Sequence, residues 1–165
     1  AWRTQVGSAL QPAWPTGVGD DGNEGVAATV QRTRFAIGYV EFAFARAHRL
    51  SDAALLNRDG NVVQARRPAF RAAAIAADWD DIGVSRQLPT DLPGAASWPI
   101  TGASFILLPV AVAQSGKSRA TRQFFVWALQ HGEPIAANLD YDVLPPAANE
   151  KVWQIWHSAP AASHR

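Results

Sequence analysis

The feature that most constrains this chain is an imbalance between strand-like and helix-like segments. Two stretches read as buried strands, Phe35-Ala36-Ile37-Gly38-Tyr39-Val40 and Ser104-Phe105-Ile106-Leu107-Leu108-Pro109-Val110, because apolar, β-branched and aromatic residues crowd into short runs. A hairpin joins Leu55-Leu56 to Val62-Val63, with the Asp59-Gly60 turn supplying the positive φ that such turns need. A complete doubly wound domain ordinarily carries about five or six strands. The chain therefore reads as α/β with part of its sheet missing.

The helices are better marked. Ala1 to Gly7 reads as a helix end with Gly7 as its stop. After the Pro/Gly-rich loop at 11–19, Asn23 is expected to cap a helix running to Arg32, with Val26 and Val30 on its buried side. Further helices are expected at Glu41 to His48, at Pro68 to Asp78 with Pro in the first turn, and at Ser118 to Gln130. In the last of these Ser118 serves as cap, and Phe124, Phe125, Ala128 and Leu129 form one face. A short turn at Glu133 to Leu139 follows. The final helix spans Ala147 to His157, with Val152, Ile155 and Trp156 inward.

Composition removes several classes of function. The 165 residues contain no Cys, which excludes disulfides, Cys-ligated metal and thiol nucleophiles. Seven Trp and seven Phe are too much apolar payload for a disordered chain. No apolar run approaches the roughly 18 residues needed to cross a bilayer, so the chain is not expected to be membrane-embedded. The net charge of +1 comes from scattered residues and forms no basic stripe, so no nucleic-acid partner is expected. The chain opens at Ala1 without Met, which points to processing or to a longer parent chain. No signal peptide is recognisable.

Three local patterns invite chemistry. Ala111-Val112-Ala113-Gln114-Ser115-Gly116-Lys117-Ser118 lies between an apolar strand and a helix, where a phosphate-binding loop would sit. That loop needs Gly five residues before its second Gly, and Ala111 stands there. The four His lack ligand spacing, and Asp78, Asp80 and Asp81 read as a helix end and solvated loop, so no metal, cofactor or catalytic group is expected. The Gly22-Asn23-Glu24-Gly25 turn could turn backbone N–H groups toward an anion, or could simply shape a tight entry into a helix.

Read in order, a further set of segments resembles the C-terminal half of the periplasmic phosphate-binding proteins of ABC transporters, the PstS type. They are Trp14-Pro15-x-Gly-x-Gly, Gly22-Asn23-Glu24-Gly25-Val26-Ala27, Ala36-Ile37-Gly38-Tyr39-Val40-Glu41-Phe42-Ala43 and the Asp59-Gly60 turn. Ala77-Asp78-Trp79, Trp98-Pro99-Ile100-Thr101 and Phe105-Ile106-Leu107 continue the series. Phe124-Phe125-x-Trp127-Ala128 and Asn138-Leu139-Asp140-Tyr141 with Leu144-Pro145 complete it.

The resemblance implies a type II periplasmic binding protein fold of two α/β lobes that close over phosphate. Residues 1–97 would form most of the second lobe. Residues 98–165 would cross back and supply the C-terminal helices of the first, the N-terminal part being absent. It also implies periplasmic location, a non-enzymatic role in phosphate uptake, and the transporter's membrane permease subunits as partners. The family's Gly-rich N-terminal loop, its first-lobe Ser and Asp and its Arg-x-Asp-Gly-Ser-Gly-Thr loop are not found here. Thr101-Gly102-Ala103-Ser104 and Arg58-Asp59-Gly60-Asn61 do not substitute for them. Gly22, Asn23 and Tyr39 remain as candidates to line the cleft. Two other classes stay open: a small nucleotide-binding enzyme using Gly116-Lys117-Ser118, and an interaction module with an apolar face around Trp2 and the crossing strand.

Overall fold

A computed structural model describes residues 2–7, 9, 12–80, 90–107 and 116–158. In chain order the elements are α1 (Trp2–Gln5), α2 (Gly22–Arg32), α3 (Phe42–Ala47), β1 (Leu55–Leu56), β2 (Val62–Val63), α4 (Arg67–Ala76), α5 (Gly116–His131), α6 (Glu133–Asn138) and α7 (Pro146–Ser158). The described chain is dominated by helices, with one small antiparallel sheet in the register Leu55↔Val63 and Leu56↔Val62. It falls into two compact units, Ala1–Ser51 and Asp52–Arg165.

In the first unit, α2 carries Glu24 in its first turn and Arg32 in its last, each suiting the helix dipole. Ala27 is fully buried, flanked by the half-buried Val26 and Val30. The expected cap is different: Asp21 holds the N-cap position, and Asn23 lies inside the first turn. α3 closes in a left-handed stop at Arg49 (φ 55°). There Leu50 N–H donates to Ala45 O at 2.9 Å and Arg49 N–H to Arg46 O at 3.0 Å. This paired arrangement satisfies carbonyls that a helix end otherwise leaves unbonded.

The strand expected at Phe35 to Val40 does not form. Phe35, Ile37 and Tyr39 are 87%, 98% and 75% exposed, and Phe35 itself turns at φ 65°. A strand exists only through a ladder with a neighbour, and among the described residues none lies beside it. The same reason applies to Ser104–Leu107, which is irregular with exposed Phe105, Ile106 and Leu107. Leu108, Pro109 and Val110 lie outside the described residues.

In the second unit the local signals hold. The hairpin turns at Arg58–Asn61 with Gly60 at φ 80°, and α4 opens with Pro68 in its first turn. Val63, Ala65, Ala69, Ala73 and Ala148 are buried, and the largest fully buried side chain among the described residues is that of Ser97. Among the described residues, the buried hydrophobic positions of this unit are therefore mostly alanine. α5 begins at Gly116, so Ser118 sits within the helix and is not its cap. Ile155, expected inward, is 41% exposed, and Phe124 of the apolar face of α5 is 57% exposed. An amphipathic helix with few packed neighbours covers only part of its apolar side.

Candidate functional site

The three candidate residues belong to the first unit, at the start of α2 and on the segment leading into α3. Gly22 opens α2 at φ 64° and is exposed, with open space where a side chain would stand. Asn23, half-buried, accepts the backbone N–H of Glu41 on its Oδ1 at 2.8 Å. Glu41 is the N-cap residue of α3, so this one bond fixes where the second helix starts relative to the first. The Asn23 Nδ2 has no acceptor among the described residues and remains available as a neutral donor. Tyr39 is largely exposed, its ring 6.3 Å from that of Trp14.

Gly38 explains the close approach of this segment to α2. A Cβ there would stand 2.7 Å from Val30 Cγ2 and 3.0 Å from Val26 Cγ1, closer than packed carbons tolerate. Gly25 allows a second approach, because a Cβ at that position would stand 2.5 Å from the Asp20 carboxylate. Asp20 lies along the side of α2. It accepts the Thr29 hydroxyl on Oδ2 and the Asp21 N–H on Oδ1 at 2.9 Å. The Thr29 bond first, and the Asp21 N–H second, hold its carboxyl below the ordinary value. Asp20, Asp21 and Glu24 thus gather negative charge around the start of α2. An anion approaching the helix end alone meets like charge, which opposes the attraction of the free N–H groups.

The second unit holds the densest polar contacts. Buried Asn57 donates from Nδ2 to the carbonyls of Gly94, Ala95 and Ser97 at 3.0, 3.1 and 3.3 Å. Its Oδ1 accepts the N–H groups of Asp59 and Asn61 at 3.2 and 2.9 Å. The hairpin turn is thereby tied to the 94–97 loop, and Asp59 Oδ2 adds a bond from Gly94 N–H at 2.8 Å. Sequence reasoning missed Asn57. The available signal was an Asn placed two residues before the second turn position, where its side chain can mimic a backbone turn.

Asp142 is the second feature that the sequence hid. Asp140, at φ 62°, ends α6 with Tyr141 N–H donating to Ala136 O at 2.9 Å, and this left-handed stop redirects the chain. Asp142 then accepts bonds from Arg67 Nη2 at 3.2 Å and from Arg71 Nη2 and Nε at 3.0 and 3.1 Å. Burial pushes its carboxyl upward, but the hydrogen bonds from Arg71, Arg67 and the Val143 N–H outweigh that and hold it below the ordinary value. Arg71 also reaches Glu133 Oε1 at 3.3 Å. With its acceptors already in place, this cluster is an internal clamp between α4 and the chain after α6.

Among the described residues no group of three or more His, Asp or Glu is placed to hold a metal ion, and no helix is long and apolar enough to cross a membrane. Of the acidic trio, Asp80 pairs with Lys151 at 2.8 Å, Asp78 accepts the Asp80 N–H at 2.9 Å, and Asp81 lies outside the described residues. The residues at 111–115 of the Gly116-Lys117-Ser118 segment also lie outside them.

Comparison with known proteins adds what geometry does not. The chain is 40% identical over 155 residues to a phosphate-binding protein PstS of Pasteurella multocida, covering 94% of this chain and 45% of that protein. It is 39% identical over 157 residues to the PstS of Xylella fastidiosa strain Temecula1, covering 95% of this chain and 43% of that one. The chain is homologous to the PstS phosphate-binding proteins. The PstS of Haemophilus influenzae is 37% identical over 155 residues, 94% of this chain and 46% of its own. The chain thus spans less than half the length of these PstS relatives. No family model matches it.

Proposed function

We propose that this chain is the C-terminal portion of a periplasmic phosphate-binding protein, and that it serves phosphate uptake by an ABC transporter without catalysing a reaction. The observation that carries this reading is 37–40% identity to PstS proteins over 94–95% of the chain. In this reading residues 1–97 form most of the second lobe of a type II binding protein. Residues 98–165 cross back and complete the first, and the lobes close over inorganic phosphate before delivery to the membrane permease subunits.

Neutral donors and Arg would hold the oxyanion, and a carboxylate acceptor would favour a protonated one, which sulfate does not offer. Gly22, Asn23 and Tyr39 would line the second-lobe side of the cleft. The free Nδ2 of Asn23 suits a neutral donor. The carboxylates of Asp20, Asp21 and Glu24 around it favour a reading in which the principal ligand groups come from residues outside this chain.

The test is calorimetry on two proteins. Residues 1–165 alone should show no micromolar phosphate binding. A chimaera in which they replace the matched segment of the P. multocida protein should bind phosphate at micromolar concentration and leave sulfate unbound. Asn23→Ala in that chimaera should weaken phosphate binding about tenfold, the loss of one neutral hydrogen bond. A folded chimaera that takes up no phosphate would overturn the reading.

A further inference from the structure

The sequence holds two Asp-Gly pairs, Asp21-Gly22 and Asp59-Gly60, and both are exposed. A glycine after an aspartate leaves its backbone nitrogen unshielded by a Cβ, so that nitrogen can reach the carboxyl carbon of the preceding side chain. Open space surrounds the Cβ direction of both glycines, so access does not separate the two pairs. Hydrogen bonding does. Gly60 N–H donates to Asn57 O at 3.0 Å, and Asp59 Oδ2 accepts the Gly94 N–H at 2.8 Å. The attacking and the attacked group of that pair are therefore both held, and Asn57 Oδ1 holds the Asp59 N–H as well at 3.2 Å. Asp21 stands at the N-cap position of α2, but its carboxylate makes no capping bond. Neither that carboxylate nor the Gly22 N–H has a partner among the described residues. The free N–H follows from the helix start, where the first donors have no acceptor within the helix.

We propose that Asp21-Gly22 is a site of spontaneous isoaspartate formation in the folded chain, and that the hairpin turn protects Asp59-Gly60 from the same reaction. The Gly22 nitrogen attacks Cγ of the protonated Asp21 carboxyl. An N–Cγ bond forms, and the amide proton leaves with the carboxyl hydroxyl as water, closing a five-membered succinimide. Water then adds back to one of the two ring carbonyls. Cleavage of the Cγ–N bond restores aspartate, whereas cleavage at the α-carbonyl routes the main chain through Cβ and Cγ and leaves the α-carboxylate pendant. Nothing is oxidised or reduced, and the product has the composition of the starting chain. The structural effect is local. The Asp21 carbonyl that accepts the Gly25 N–H at 3.1 Å leaves the main chain, which gains one carbon directly before α2. Asn23, two residues on, then loses the position from which it accepts the Glu41 N–H. The inference does not depend on phosphate as ligand.

The test is to age residues 1–165 at neutral pH and physiological temperature, folded and in concentrated urea. Isoaspartate is located by peptide mapping after labelling with an isoaspartyl methyltransferase and S-adenosylmethionine. In the folded chain it should build up at position 21 about tenfold or more faster than at position 59, whose closure must first break two further hydrogen bonds. In urea the two rates should converge. Asp21→Asn should hasten the same ring closure, with ammonia leaving in place of water, and Asp21→Ser should abolish the signal at that position alone. Both substitutions fall on an exposed side chain with no bond to lose, so the fold is retained. In the aged chain the Glu41 amide should exchange faster in molecules carrying the modification. Equal or faster reaction at Asp59 in the folded chain overturns the proposal. So does a preference for position 21 that persists unchanged in urea, which would assign it to the neighbouring residues and not to the fold. Absence of isoaspartate from Asp21→Asn overturns it as well.

Discussion

Arg71 grips Asp142 through two nitrogens of its guanidinium, with Nε 3.1 Å from Oδ2 and Nη2 3.0 Å from Oδ1. This two-point geometry is the strongest form an Arg–carboxylate contact takes, and Arg67 adds a third bond to the same carboxylate. Asp142→Asn should lower the stability of the second unit by about 1–2 kcal/mol in urea denaturation. Because the folded carboxyl sits below its ordinary value of 3.8, the stabilisation is complete above that value and is lost as pH falls through the lower folded one. The unsubstituted chain should therefore lose its advantage over Asp142→Asn only in acid, and the two should be equally pH-insensitive at this site between about pH 6 and 8.

Asn57 should be the most sensitive polar position in the second unit. Asn57→Ala strands the buried Ser97 carbonyl and removes four part-buried bonds to Gly94, Ala95, Asp59 and Asn61, at a cost of about 2–3 kcal/mol. Asn57→Asp should be worse at neutral pH, since it directs a charged acceptor at the carbonyls of Gly94, Ala95 and Ser97. Thermal melting of both variants beside the parent checks the order.

Gly38→Ala places a methyl group against Val26 and Val30, and the strain should cost about 1–3 kcal/mol. Adding Val30→Ala removes the nearer of the two obstacles and should restore part of the loss. A double variant no better than Gly38→Ala would show that the segment is held to α2 by something other than this packing.

Asn23→Ala frees the Glu41 N–H at the entry to α3. Exchange of that amide should accelerate by about fivefold, corresponding to one lost hydrogen bond of about 1 kcal/mol. Helicity elsewhere in the first unit should be unaffected, which circular dichroism can check.

What was readable in the sequence was local. The Asp59-Gly60 hairpin, the Pro68 helix start and the helix ending at His131 depend on residues within one turn of each other, and they form where expected. The strand at Phe35 to Val40 was legible as a pattern but not as an element, because a ladder requires a neighbour that no local signal supplies. Asn23 was recognised as a polar residue at a helix start, yet its partner, Glu41, is 18 positions away, and proximity to a cap does not reveal which N–H it will bond. Asp142 and the carbonyl partners of Asn57 were invisible for the same reason, since those contacts span roughly 40 to 75 positions, whereas the Asn57 bonds to the Asp59 and Asn61 N–H groups are local. The family resemblance required no contact map, because it rested on short segments recurring in order.

The alanine-built core has a thermal consequence. The heat capacity of unfolding grows with the apolar surface exposed, and methyl side chains such as those of Ala27, Ala73 and Ala148 release little of it. A chain packed this way should have a shallow stability curve, with a low enthalpy at its midpoint and a broad transition. Heating would then loosen it over a wide interval, and its calorimetric peak would be low for 165 residues.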